Sequence, residues 1–434
     1  MNKKKIIQVS FLITLLFIFL FVFISSLNKH NNLESIDGTI ISIDNDYVNI
    51  ISANDSIYRL IIDDDSFKIG DDITIYYKGE INLNDYLLDI DIKKIKKGLI
   101  NRFDNKTIDD ILSAMTIEEK VGQLLLVRVP ENNKYDVIKD YHIGGYILFG
   151  RDTDNKTKTQ IQIDTNSYQK VANIPLIIAI DEEGGKVSRL NNTKFVTNKF
   201  KSPQDLFKIG GYDEILHDAK KKTDLLHDLG INVNLAPVAD VATDKNAYIY
   251  ARTFGSNAKD TAKYIETVMN AQTNGVSYVL KHFPGYGNNL DTHEDIVVDN
   301  RAVSEFFNND FLPFKAGIDN GALAIMMSHN IVSCFDDVPS SISKKTHNIL
   351  RNELDFNGII ITDDLAMKGI SNYDIDKIYV EAVLAGNNML IVTDYKTAYN
   401  QILEAVNDKV INEELINILV YKVLYFKYLK KLIY

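Results

Sequence analysis

The feature that most constrains this chain is an alternation, between residues 124 and 393, of strand-length apolar runs with helix-length segments. The runs occupy 124–129, 145–149, 175–180, 233–238, 276–280, 322–327, 358–362 and 389–393. Each is continuously apolar rather than alternating, the pattern of a strand covered on both faces. The stretches between them, such as 213–229 and 260–272, have amphipathic helical periodicity. Eight such units imply an α/β fold, a (β/α)8 TIM-type barrel. A doubly wound open sheet is the alternative, but the glycines form no dinucleotide-binding loop.

Two regions precede the barrel. Residues 1–5 carry three lysines, and 6–24 is apolar apart from Gln8, Ser10 and Thr14, about the length of a membrane span. With no small-x-small cleavage site, 1–27 reads as a signal anchor, a cleaved signal peptide being the alternative. The basic end stays inside, so the protein is expected in the cell membrane as a single-pass protein with its bulk extracytoplasmic, or secreted if the segment is removed. Over 28–100, short β-branched runs at 39–43, 47–51, 57–62 and 73–77 alternate with turn residues, indicating a small all-β domain, a barrel or roll. It is either a spacer lifting the larger domain off the membrane or a binding module. From Thr107 the periodicity becomes helical and Thr116 stands three residues ahead of Glu119, a capping box, so the barrel domain takes 101–434.

A net charge of -11 disfavours nucleic acid as a partner, which needs a basic surface. The single cysteine, Cys334, excludes an internal disulfide and lies outside any metal-ligand spacing. A neutral or small ligand, with no cofactor and no metal, fits better.

In a barrel of this kind the functional face lies at the C-terminal ends of the strands. There the sequence places Asp181-Glu182-Glu183-Gly184-Gly185 after the third run, Asp240 after the fourth, Lys281-His282 after the fifth and Ser328-His329 after the sixth. Asp363-Asp364 follows the seventh and Asp394 the eighth, while Asp291-x-His293 lies in a Gly- and Asn-rich stretch after Lys281. Bland readings exist for several: Asp364 and Asp394 as helix N-caps, Asp240 as a turn residue, Asp291-x-His293 as a surface Asx-turn. Counting by two along the seventh run, Ile359, Ile361 and Asp363 share a face, so Asp363 rather than Asp364 extends an inward series.

Six collinear motifs carry a resemblance. They are Met115-Thr-Ile-Glu-Glu-Lys-Val-Gly-Gln-Leu124, Asp181-Glu-Glu-Gly-Gly-Lys-Val-Ser-Arg189, Asn234-Leu-Ala-Pro-Val-Ala-Asp240, Lys281-His-Phe-Pro-Gly285, Asp291-Thr-His293 and Ile361-Thr-Asp-Asp-Leu-Ala-Met-Lys-Gly369. From about residue 104 to the C-terminus the chain resembles glycoside hydrolase family 3, in particular its β-N-acetylglucosaminidase (β-hexosaminidase) branch, which acts in peptidoglycan turnover.

That resemblance implies a retaining mechanism with Asp363 as nucleophile and a His–Asp pair, His293 with Asp291, as general acid/base. An imidazole suits both proton transfers because it titrates near neutrality. The resemblance further implies that Asp181, Arg189, Arg252, Lys281 and His282, joined by His329, hold the sugar. The expected substrate is a terminal GlcNAc residue of a glycan. The chain departs from the family pattern at Tyr286, where many relatives have histidine, at Glu182 and Lys186, which replace Gln and Arg, and around Arg252 in Ala-Arg-Thr-Phe-Gly. With no tryptophan, sugar stacking would fall to tyrosine or phenylalanine. Alternatives are a phosphorylase or β-glucosidase of the same family, a metal-dependent hydrolase, and a non-catalytic wall-binding protein.

Overall fold

The computed structural model describes residues 33–44, 47–62, 66–79, 81–98, 105–272, 275–289, 296–371, 373 and 377–434. The anchor expected over 1–27 lies outside them, and among the described residues no helix is long and apolar enough to cross a membrane.

The first five strands are β1 (Glu34–Asp44), β2 (Tyr47–Ser52), β3 (Ile57–Ile61), β4 (Asp72–Lys78) and β5 (Asp91–Lys97). They form one antiparallel sheet in the order β3-β2-β1-β4-β5. In β4 the residues alternate between buried and half-buried, and Ile73, Ile75 and Tyr77 join Ile40, Ile50 and Leu60 in a separate core. The four expected runs correspond to β1–β4. β5 was not expected: it reads Asp-Ile-Lys-Lys-Ile-Lys-Lys, and only its position at the sheet edge makes so polar a strand tolerable.

This sheet sits against the helix Lys344–Asn352, whose Asn348 and Asn352 lie one turn apart on one face. Asn348 treats β3 as a neighbouring strand would: its Oδ1 accepts from Ile57 N and its Nδ2 donates to Ile57 O, both at 3.0 Å. Asn352 Oδ1 accepts from Asn54, Ser56 and Tyr58. Beside them the buried Asp55 pairs with Lys422 at 3.0 Å.

The later strands are β6 (Leu125–Arg128), β7 (Gly145–Leu148), β8 (Ile177–Ile180), β9 (Glu182–Gly184), β10 (Val187–Ser188), β11 (Val233–Asn234), β12 (Ser277–Phe283), β13 (Val298–Asp299), β14 (Ala324–Met327), β15 (Ile331–Val332), β16 (Ile359–Thr362) and β17 (Leu390–Val392). Eight of them form one all-parallel sheet in the order β16-β14-β12-β11-β8-β7-β6-β17. Between β16 and β17 the ladder thins to the bridge Ile361–Met389, supported by Thr362 N donating to Met389 O, which brings the two edges together into the expected barrel. Alternate residues fill its interior: Leu126, Ile147, Ala179, Val233, Val279, Met326, Ile361 and Ile391 form one cluster, while Ile178, Leu280 and Ile360 face the helices.

Two strands differ from expectation. β11 stops at Asn234, where the register against β12 slips: Ser277 N donates to Asn232 O but Val279 N donates to Ala236 O, and pairing resumes only at the Val238–Lys281 bridge. β12 runs on to Phe283, so Lys281 and His282 belong to the strand rather than to the loop after it. The expected capping box is present: Thr116 Oγ1 accepts from Glu119 N, and Glu119 Oε2 accepts from Thr116 N.

Candidate active site

Four chain segments deliver charge to the C-terminal mouth of the barrel. Asp181 follows β8, Glu183 lies within β9, Lys281 and His282 end β12, and Arg252 closes the short turn Tyr250–Arg252 beyond β11. Lys281, only 2% exposed, places Nζ 2.7 Å from both Asp181 Oδ1 and Glu183 Oε1. Arg252 grips Glu183 through two bonds, Nε to Oε2 at 3.0 Å and Nη2 to Oε1 at 2.7 Å. Arg189, carried just past the β9–β10 hairpin, donates Nη2 to Asp181 Oδ2 at 3.2 Å. Two carboxylates are thus held among three cations.

Burial opposes the charge on Asp181, Glu183, Lys281 and Arg252, and the attraction of their partners overcomes it. Desolvation would raise Asp181, but Lys281 and Arg189 hold it well below the usual carboxylate range. Glu183, equally buried, is drawn down to about 2 by Arg252 and Lys281. Lys281 and Arg252 are raised by the same partners against the opposite pull of desolvation. The cluster is therefore fully ionised at neutral pH.

His282 is oriented by Asp240, which is wholly buried. Asp240 Oδ2 faces His282 Nδ1 at 2.7 Å and accepts the His282 backbone N–H, while Oδ1 accepts from Tyr286 N. A carboxylate only accepts, so Nδ1 carries the hydrogen; Arg252 Nη2, 3.3 Å from Nε2, only donates, so Nε2 accepts. The two neighbours together select the neutral Nδ1–H tautomer. Asp240 is a positioning residue rather than a turn residue.

Across the mouth, Asp363 continues the interior series of Ile359 and Ile361. Its backbone N–H is anchored on Met327 O at 2.9 Å, and its Oδ1 accepts from Asp364 N at 2.8 Å. Asp181, Arg189, Arg252, Lys281, His282 and Asp363 all line one cleft of about 200 Å³. Phe149 and Tyr248 line it too, and the guanidinium carbons of Arg128 and Arg189 lie over the Phe149 ring, 4.2 and 5.2 Å from its centre.

His329 is placed differently from the expectation that it joins the sugar contacts. It is wholly buried behind the β14 and β16 ends, with Nδ1 2.8 Å from Ser341 Oγ and Nε2 donating to Asp364 O at 3.1 Å. It braces the backbone beside Asp363 and is not among the described residues that line the cleft. Asp291 and His293, the expected acid/base pair, lie outside the described residues. Among the described residues no group of three or more His, Cys, Asp or Glu side chains is arranged to hold a metal.

Sequence reasoning missed Glu183, Asp240 as a partner of His282, and Phe149. A signal for Glu183 existed: the residues assigned to the sugar comprised three strong cations and one acid, and buried cations require counterions.

Comparison with known proteins gives the family and the fold. Residues 116–426 match the glycosyl hydrolase family 3 N-terminal domain. A beta-hexosaminidase of Nitrosomonas eutropha is 31% identical over 269 residues, covering 60% of this chain and 76% of that protein. One from Actinobacillus pleuropneumoniae is 31% identical over 283 residues, covering 62% and 79%. A solved family 3 β-N-acetylglucosaminidase from a Paenibacillus species shares the fold with a TM-score of 0.69 at 28% identity, covering 74% of this chain and 63% of that one.

Proposed function

The chain belongs to glycosyl hydrolase family 3 and is a glycoside hydrolase; on that premise we propose that it is a retaining, exo-acting β-N-acetylglucosaminidase that releases terminal GlcNAc from cell-wall (peptidoglycan) fragments. What carries this reading is the shared cleft, with Asp363 on one wall and the Asp181, Lys281, Arg189, Arg252 and His282 network on another. The relatives' names supply the sugar.

In the first step an Asp363 oxygen attacks the anomeric carbon, the bond from that carbon to the leaving oxygen breaks, and His293 gives that oxygen a proton. A covalent glycosyl ester results. In the second, His293 takes a proton from water, the water oxygen attacks the same carbon, and Asp363 departs as carboxylate. Asp291 fixes the tautomer of His293 and supports its imidazolium form. The ionised network offers charged donors and acceptors to the sugar hydroxyls, and charge-assisted bonds of this kind are the strong ones.

The test is to trap the enzyme with a slow fluorinated GlcNAc donor and map the labelled peptide. Label on Asp363 is expected; label elsewhere, or product of inverted configuration, overturns the reading. The same proposal includes a tether, with residues 1–27 holding the catalytic part outside the cell membrane. Release of the protein from membranes by alkaline extraction alone would contradict the tether.

A further inference from the structure

The segment that carries Asp291 and His293 leaves the described chain after Asn289 and rejoins it at Ile296. Both of its stems are fastened. On the entering side Tyr286 N donates to Asp240, and Asn288 Oδ1 accepts from Thr243 N and Asp244 N. On the returning side β13 pairs with β15, and Ile331 N donates to Val297 O.

The two stems are also tied to each other, through one ion cluster. Asn289 Nδ2 donates to Asp299 Oδ2 at 2.6 Å, crossing from the entering stem to the returning one. Arg301 holds both oxygens of Asp299 and donates Nη2 to Gly285 O, crossing back. Its Nη1 reaches Asp310 Oδ2 at 2.8 Å, and its guanidinium lies 4.3 Å from the Phe306 ring centre. Asp299 and Asp310 are each 1% exposed. The packing is close enough to dictate the sequence of the entering stem. A Cβ at Gly285, where φ is +123°, would stand 2.4 Å from Asp310 Oδ1, and one at Gly287, where φ is +56°, would stand 2.7 Å from the Arg301 guanidinium carbon.

We infer that Arg301, with Asp299, Asp310 and Asn289, is a positioning clamp that sets the distance between the stems of the acid/base segment and thereby the proton-transfer steps. The inference rests on the reading of His293 and Asp291 given above. Buried ion clusters stabilise proteins poorly, because desolvation offsets most of the attraction, whereas they fix geometry well. Two carboxylates on one guanidinium are a costly way to gain stability and an effective way to hold two chain segments at a defined spacing. Proton transfer is sensitive to that spacing, since a misplacement of about 1 Å costs roughly a hundredfold in rate.

The experiment compares GlcNAc β-glycosides of a strongly acidic phenol, which departs without protonation, and of an aliphatic alcohol, which does not. Full-length Arg301→Lys, Asn289→Ala and His293→Ala proteins are assayed on both. Arg301→Lys keeps the charge but loses the planar fork, and Asn289→Ala cuts the strap to Asp299 together with the bond from the same amide to Tyr286 O within the entering stem. Both are expected to lose about tenfold or more in kcat/KM on the alcohol glycoside and less than about threefold in kcat/KM on the phenol glycoside, whose kcat and KM fall together because the second step needs the same base. His293→Ala should show the same selectivity more strongly. If His293→Ala is selective while the other two lose kcat/KM equally on both substrates, or lose none, the clamp is overturned and the acid/base reading stands. If His293→Ala is not selective, the acid/base reading fails and the clamp with it. Should Arg301→Lys not fold, the selectivity of Asn289→Ala decides.

Discussion

Arg252 and Glu183 form a two-bond ion pair at 2.7 and 3.0 Å across a distance of 69 residues, and Glu183 at the same time shares Lys281 with Asp181. Glu183 thus joins the hairpin after β8 to the end of β12 and to the turn beyond β11. Glu183→Gln would leave Lys281 and Arg252 short of a counterion in a buried site. Removing one partner of such a pair costs about 3–5 kcal/mol, so thermal denaturation should show a drop in Tm of several degrees. KM should rise as well. A variant with unchanged Tm would mean that solvent already screens the pair.

Glu182, one residue earlier, points elsewhere. Its Oε2 accepts from Arg189 N and Leu190 N, which fixes the return of the hairpin that presents Arg189. Burial raises its carboxyl to about 7; Lys222, the cation that acts on it, is already paired with Asp218. Between the ordinary glutamate value and pH 7 the folded state holds a proton that the unfolded state has lost. Stability therefore falls as pH rises through that window and stays low above it. Glu182→Gln, which restores the residue of the family pattern, should be neutral near pH 4 and stabilising at pH 8, by at most about 3 kcal/mol. Equal Tm differences at the two pH values would dismiss this.

The contrast between these two glutamates shows where sequence reasoning stops. Adjacent and identical in type, they are separated in role only by the fold: β9 turns Glu183 toward Lys281 and Arg252 and Glu182 toward its own hairpin. Asp363 was legible because period-two counting along 358–362 puts it on the face of Ile359 and Ile361, which do fill the barrel. The eight strands were legible because parallel strands covered on both faces need continuous apolar runs. β5 was not, since an edge strand of lysines has no apolar signature. His329 looked like a rim residue by position, yet its ring turns back to Ser341 and Asp364.

Asp240 has three acceptor contacts and no exposure, two of them to His282. Asp240→Asn keeps the size but offers the ring an amide that can donate, so the Nδ1–H tautomer loses its preference and Nε2 no longer reliably accepts from Arg252. A hydrogen bond to a charged group contributes about 1.5–3 kcal/mol, so kcat/KM should fall by roughly ten- to a hundredfold. The amide has one oxygen, so it can accept from the Tyr286 N–H or from His282 but not from both. NMR of the His282 ring nitrogens in wild type and variant would read the tautomer directly; an unchanged Nδ1–H signal beside lost activity would point to another cause.

The contact between the small sheet and the barrel should be separable from catalysis. Asn348 satisfies both backbone groups of Ile57, the first residue of β3, at a position where water is excluded. Asn348→Leu removes a donor and an acceptor while leaving the Ile57 N–H and C=O buried. Each unsatisfied buried group costs about 1–3 kcal/mol, so the small sheet should detach or open at lower denaturant concentration than the barrel unfolds. Because the helix Lys344–Asn352 runs on the outside of the barrel between β14 and β16, KM and kcat on a small aryl glycoside should stay within about twofold. Limited proteolysis would then cut within the small sheet, residues 34–97, in the variant and spare it in the wild type. Loss of turnover in a variant whose barrel remains folded would show instead that the sheet holds β14 or β16, and through them Asp363, in place.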